Sequence, residues 1–369
     1  RDGELRRRAR RRSRLERARP GEGGVVIRRR EDVQTPRHYR LAHRTTYTYP
    51  EVVTSSYGRA VMLPREGGGQ HVVTSALHIS PTAAEIGEHK DFHGNRSSYF
   101  VVDTEHTVLE VLAESVLTVT RKQAQVDRMP MISWSQAAEV THTLGSPGRG
   151  SSAASHGIGG NAVIAVSEAT LASDMVDVTE EVREFAAPSF GPGTPLAHVI
   201  ADLCTRIHDE LEYKSGSTTV RTTLPELLAQ RQGVCQDFAH LMIGCMRSMG
   251  LAARYVSGYI ETNPPPGRPK LRGVDASHAW ASVWVPGGGW LHVDPTNDQF
   301  IDNRYVVLGW GRDYRDVSPL RGIVFTEGRG SSLSVGVDLM ELTQEELEEV
   351  RSSHAATAAA GVGAARARR

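Results

Sequence analysis

GVCQDFAHLMIGCMRSMGLAARYVSGYI, residues 233–260, carries two periodicities back to back. Its first eighteen residues are apolar on nearly every face and end at Gly250, the residue type that closes helices in a left-handed conformation, so 233–250 predicts a buried helix. The β-branched and aromatic run AARYVSGYI, 252–260, predicts a strand packed beside it. Cys235 therefore stands at the start of a buried helix, just after Gly233 and Val234. Unpaired N–H groups and the positive dipole end at that position favour a thiolate, the reactive form of cysteine.

Two further strands follow, HAWASVWV at 278–285 and WLHVDPT at 290–296, and the tight PGGGW break at 286–290 makes them a hairpin. His278 opens the first and Asp294 lies on the second, so the two can be cross-strand neighbours. A carboxylate that holds an imidazole, and an imidazole that serves a thiol, are the parts of nucleophilic acyl transfer. Singly, each has a plain alternative: a small buried hydrophobe, a hydrogen-bonded core histidine, and an Asp before Pro in a turn. The ordered set, Cys on a helix, then His and Asp on adjacent strands, is what points to catalysis.

Upstream of this unit, VTEEVREFA (178–186), LAHVIADLCTRIHDELEY (196–213) and TLPELLAQ (223–230) read as helices, the last with Thr223 as cap and Pro225 in its first turn. Residues 34–120 alternate in short runs broken at Pro64 to Gly69, Pro81 and Gly94-Asn95, the pattern of an antiparallel β domain. The stretch 143–161 is rich in Gly, Ser and Ala and reads as a linker within a connecting segment, 121–177. LSVGVDL (333–339) offers one more strand to a core spanning 178–340, and 341–369 should fray.

Hydrophobic residues make up 39% of the 369 and charged residues 23%, which fits a globular body able to bury a core. The zero net charge is uneven. Residues 1–30 hold thirteen Arg against four acids, and 31–365 hold 27 basic against 39 acidic residues. Nucleic-acid binding by the body is thereby disfavoured, and 1–33 reads as a solvated, disordered Arg-rich extension, the one part suited to such contact. No apolar run is long enough to span a membrane. The three cysteines, Cys204, Cys235 and Cys245, cannot make a dense disulfide framework, which suits a reducing, cytoplasmic setting. The chain begins at Arg1 rather than Met, so what precedes it is left open.

The motifs GVCQDFAHLMIGCMRSMGLAARYVSGYI, DASHAW, GWLHVDPTN and GRDYRDVSP resemble the transglutaminase-like superfamily, in its bacterial cysteine-enzyme branch. Within 39–120, HRTTYTY, LPRE, DFHGN and HTVLEV resemble the β-rich N-terminal domain of that branch. The resemblance implies an α+β fold: a papain-like core preceded by a small antiparallel β domain. It also implies Cys235 as nucleophile, His278 as general base and acid, and Asp294 as the orienting carboxylate, with no metal or organic cofactor. The implied reaction is acyl transfer on peptide or isopeptide amides of a protein substrate through a thioester. Water needs no acceptor site, which favours hydrolysis; the alternatives are transglutaminase cross-linking of Gln to amines and a non-catalytic binding scaffold.

The oxyanion calls for the Cys235 N–H and a second donor, for which Gln230, Gln232 and Tyr213 are the candidates. Asp237 reads as a first-turn carboxylate that satisfies free N–H groups, and His240 as a packed or networked histidine. Cys204 and His208 share a helix face at the spacing of metal ligands, but no second pair completes a zinc site, and no EF-hand loop occurs. His292 reads as a surface or supporting residue beside Asp294, and Trp280, Trp284 and Trp290 as core or groove lining. DFHGN at 91–95 reads as a turn, GRDYRDVSP at 311–319 as a brace for the site. The β domain offers no chemistry of its own and is expected to position substrate or contact a partner.

Overall fold

The computed structural model describes residues 35–144, 160–262 and 277–367. The Arg-rich head and most of the Gly/Ser-rich stretch lie outside the described residues.

Strict alternation builds the first sheet. In β1 (Arg37–Ala60) the residues Tyr39, Leu41, His43 and Thr45 point inward while Arg40 and Arg44 face solvent. One half of this long strand pairs with β5 (His106–Val119), the other with β4 (Arg96–Val102); β2 (Gln70–Ser80) and β3 (Glu85–Lys90) add to β5 and β4. The sheet is completed from the far end of the chain. β13 (Leu320–Thr326) pairs with β1, Tyr57 opposite Ile323, and β14 (Ser332–Leu342) does the same, Leu41 opposite Leu339. The expected boundary at 340 is therefore corrected: strands in 320–342 belong to the N-terminal sheet, because their alternating residues Val337 and Leu339 fill the apolar face that β1 presents.

A short parallel pair, β6 (Glu212–Tyr213) and β7 (Gln232–Gly233), leads up to Cys235. The second sheet has the order β11, β10, β9, β8, β12, with β8 at Ala253–Ile260, β9 at Ser277–Val285, β10 at Gly289–Asp294, β11 at Gln299–Phe300 and β12 at Tyr305–Gly311. Along β9, Ala279, Ala281 and Val283 pack into the helical core, and Trp280 packs on the opposite face with Val256 and Tyr305. Two small side chains at 279 and 281 let a helix lie close to the sheet. That helix, α6 (Cys235–Ser248), is buried from Phe238 to Ser248 and is closed at Gly250 with φ +76°, as 233–250 predicted.

Other helices complete the layer. α3 (Glu180–Ala186) buries Val182 and Phe185, and α4 (Leu196–Glu210) buries the stripe Val199, Ile200, Leu203 and Ile207. α5 (Leu224–Gln230) opens with a capping box in which Glu226 N–H donates to Thr223 Oγ1 and Thr223 N–H to Glu226 Oε2. The connecting segment holds more than a linker: α1 (Trp134–Leu144) and α2 (Gly160–Glu168) contribute Ala137, Leu144 and Val166 to buried clusters. The tail also differs from expectation. α7 (Gln344–Ala367) is helical, begun by a Thr343–Glu346 capping box and anchored by the fully buried Leu347.

Two amide side chains join the layers. Gln70 donates to the Val307 carbonyl and accepts from its N–H, both at 2.9 Å, and Asn95 does the same for Trp310 at 2.8 and 3.0 Å. Each amide thus satisfies β12 as a neighbouring strand would. Tyr39, Leu41 and Leu117 pack directly on Tyr259 and Leu308. Among the described residues, no helix is long and apolar enough to cross a membrane.

Candidate active site

Cys235 is the first residue of α6, partly exposed and unpaired. Its approach is shaped by Gly233, where a Cβ would meet Leu227 Cδ1 at 2.7 Å and Asp237 Oδ2 at 3.0 Å, so a larger residue would have to displace those two side chains. Across from it, β9 brings up His278, near enough to the Cys235 side chain for the sulfur to favour the charged ring. His278 Nε2 donates to Asp294 Oδ2 at 2.7 Å, which leaves Nδ1 for the sulfur. Val293 lies opposite Ala281, so Asp294 is the diagonal rather than the direct neighbour of His278. Gly258 lies opposite His278.

The carboxylate is fully buried and heavily supported. Besides His278, Oδ2 accepts from Asn297 Nδ2 and from the Tyr305 hydroxyl, each at 2.7 Å. Oδ1 accepts from the backbone N–H of Thr296 and Asn297 at 3.0 and 3.4 Å. Burial works against charge on either partner; on His278 the Asp294 carboxylate outweighs it and raises the pKa to about 10. On Asp294, the His278, Asn297 and Tyr305 donors outweigh burial and lower the pKa.

Asn297 and Tyr305 were not singled out by sequence. Asn297 had a signal, since an amide three residues past Asp294 in the turn DPTN can fold back on it. Tyr305 had none, because its strand pairs with β8 and not with β10 or β11. Gln299 Nε2 donates to its hydroxyl at 2.5 Å.

The remaining candidates fall into place. Cys204 donates to the Asp294 carbonyl at 3.4 Å, Thr205 to Asp298 at 2.7 Å, and His208 Nδ1 meets the Thr296 carbonyl at 2.9 Å. That face of α4 is a clamp on the turn that carries Asp294. Among the described residues no group of side chains has the arrangement to hold a metal. His240 is buried, accepts from the Tyr314 N–H at 3.2 Å, and has its pKa lowered by burial to about 4. Asp237 accepts from Val234 N–H and from Thr218 at 2.8 and 2.7 Å, and burial raises its pKa. The segment GRDYRDVSP is tied inward: Arg247 donates to the Arg312 carbonyl at 2.7 Å and Asp313 accepts from Met175 N–H at 3.1 Å. DFHGN is a turn in which Asp91 accepts from Asn95.

Of the three proposed oxyanion donors, Gln230 donates to the Gln232 carbonyl at 2.9 Å, and Gln232 is held by Glu212 and Lys214. Tyr213 is 56% exposed; its pKa is raised by burial of part of the ring and by the nearby Cys235.

Comparison with known proteins agrees with this architecture. Residues 183–295 match the transglutaminase-like superfamily and residues 39–118 the bacterial transglutaminase-like N-terminal region. An uncharacterized protein of Mycobacterium tuberculosis is 44% identical over 307 residues, covering 82% of this chain and 92% of the relative. A protein-glutamine gamma-glutamyltransferase of Pseudomonas aeruginosa is 42% identical over 72 residues, 19% of this chain and 11% of that one. Among solved structures, a candidate cysteine protease of Cytophaga hutchinsonii superposes with a TM-score of 0.62 at 20% identity, covering 84% of this chain and 92% of that one. That likeness is one of fold.

Proposed function

The chain belongs to the transglutaminase-like superfamily, and from that premise we propose that it is a cysteine acyl-transfer enzyme acting on peptide or isopeptide amides, with hydrolysis as its main outcome. The observation that carries this is the meeting of Cys235, at the start of a buried helix, with His278 on β9, whose Nε2 donates to Asp294 Oδ2 at 2.7 Å.

The Cys235 thiolate attacks the amide carbonyl; a C–S bond forms and the carbonyl oxygen takes the negative charge. The Cys235 N–H, in the first turn of α6 where no preceding helical carbonyl is available, donates to that oxygen, and the Tyr213 hydroxyl, near enough to Cys235 to feel its charge, is our candidate for the second donor. The His278 imidazolium passes its proton to the leaving nitrogen, the C–N bond breaks, and a thioester remains. Neutral His278 then takes a proton from water, the resulting hydroxide adds to the thioester, and the C–S bond breaks to give a carboxylic acid and the thiolate. Asp294 keeps the ring oriented throughout and stabilises its charged form. The unpaired thiols at 204, 235 and 245 suit a reducing, cytoplasmic setting.

A second reading, transfer to an amine, is favoured by the short match to the Pseudomonas protein named as a glutamyltransferase. Incubation with a glutamine-containing peptide, with and without a primary amine, separates the two by product mass. Chain cleavage or deamidation supports hydrolysis, and amine incorporation supports transfer. If neither occurs, or if Cys235→Ala retains turnover, the assignment is wrong.

A further inference from the structure

A buried guanidinium without a counter-ion is costly, so such groups are normally paired. Arg65, Arg121 and Arg254 converge where β12 meets the loop after β1 and the segment after β5, and none of them forms an ion pair with a described carboxylate. Asp91 and Asp302 act on Arg65 and Arg121 only from a distance. Arg65 donates to the His93 carbonyl and to Asn95, and Arg121 to the carbonyls of Gly68 and Tyr305.

Arg254 is different. It is 8% exposed, its side chain makes no hydrogen bond among the described residues, and its buried Nε has no acceptor. Its faces are occupied: the guanidinium carbon lies 3.9 Å from the ring centre of Trp290 and 3.9 Å from that of Trp310, and Arg65 stacks on Trp310 at 3.5 Å. This ladder satisfies the flat sides of the cation and leaves uncommitted the N–H edge, the part that recognises oxyanions. Ser282, opposite both Arg254 and His292 in the strand register, also has a buried hydroxyl with no partner.

Arg254 lines a cavity of about 320 Å³ shared with Arg121, Lys122, His292 and the two tryptophans. The acidic residue on its wall, Glu66, is turned away, accepting from Val72 N–H at 2.8 Å and facing His71. We propose that this cavity is a binding site for an organic carboxylate, held edge-on by Arg254 between the indole planes of Trp290 and Trp310. The planar fork of a guanidinium matches a planar carboxylate in two parallel hydrogen bonds, which is the ground for preferring that anion. The site is separate from Cys235: Ser282 and His278 stand four residue steps apart along β9, about 13 Å. Trp280 connects them, donating from Nε1 to His292 Nδ1 at 3.2 Å while its ring centre lies 6.1 Å from that of His278.

The test is a tryptophan-fluorescence titration of the full chain at constant ionic strength. The probes are N-acetylglycine, which mimics a chain terminus, N-acetylglutamate α-amide, which mimics an acidic side chain, and neutral N-acetylglycinamide. A saturable response to either carboxylate, absent with the amide, is expected, and the responding probe identifies the source. Arg254→Lys, which keeps the charge and loses the fork, should weaken binding about ten-fold or more. Ser282→Ala, a smaller change should Arg254→Lys fail to fold, should weaken it measurably with an unchanged circular dichroism spectrum. No saturable response to a carboxylate, a response to inorganic phosphate alone, or affinity unaltered in both variants overturns the proposal.

Discussion

Replacing Asp294 with Asn tests the site where it is most tightly built. The carboxylate accepts three side-chain donors on Oδ2, from His278, Asn297 and Tyr305, and two backbone donors on Oδ1. An amide offers one oxygen and one NH₂ to those same donors, so one set must face donor to donor in either orientation. Each donor left unsatisfied in a buried place costs about 1–3 kcal/mol. His278 loses the charge that outweighs its burial, so its pKa should fall from about 10 to below the ordinary 6.5. Turnover should drop about 100- to 10,000-fold, the range for a triad whose imidazole is misdirected. The stability loss also has a pH signature. A raised His278 pKa contributes fully below about 6.5 and fades as pH rises toward 10, while a lowered Asp294 pKa contributes above about 3.8 and fades in acid. The gap between Asp294→Asn and the parent, measured by urea unfolding, should thus be widest between about pH 4 and 6.5 and narrow on either side. Turnover within three-fold of the parent, or a gap that widens steadily toward pH 10, would refute this account of the pair.

Iodoacetamide should modify Cys235 first and abolish activity in step, because Cys204 and Cys245 are buried and burial raises the pKa of both thiols; peptide mapping checks the order. Tyr213→Phe should lower kcat about 100-fold with little change in unfolding midpoint if the exposed hydroxyl serves the oxyanion; an unchanged kcat excludes it from that role. Tyr305→Phe removes one donor from Asp294 and strands Gln299, so it should cost about 1.5–3 kcal/mol in urea unfolding. Gly258→Ala places a Cβ 2.1 Å from the Val306 carbonyl oxygen and should yield little folded protein by circular dichroism.

Local signals were legible and long-range ones were not. The helix and strand in 233–260 show themselves because burial on one chain segment leaves a periodicity in that segment. The capping box at Thr223 is likewise spelled out within four residues. Closure of the first sheet by β13 and β14 joins residues such as Leu41 and Leu339, and nothing in either strand names its partner. The tail was expected to fray as a chain terminus; a Thr343–Glu346 box and the buried Leu347 start a helix there.

The same distinction explains the site. Cys235, His278 and Asp294 stand out because each interrupts an apolar segment, and their order along the chain already matches the order of helix, strand and strand. What holds them is distributed. The strand order carries Tyr305 past two neighbours to reach Asp294 from beyond β8, and α4, more than eighty residues upstream, grips the turn that follows Asp294 through Cys204, Thr205 and His208. Arg254 shows that a long-range feature can still leave a trace. A charged residue in a strand buried from Ala253 to Tyr259 is a conflict in the sequence itself, and it finds resolution in two tryptophans from different strands. A conflict settled on both faces of a guanidinium and left open along its edge is a reason to look for a ligand there.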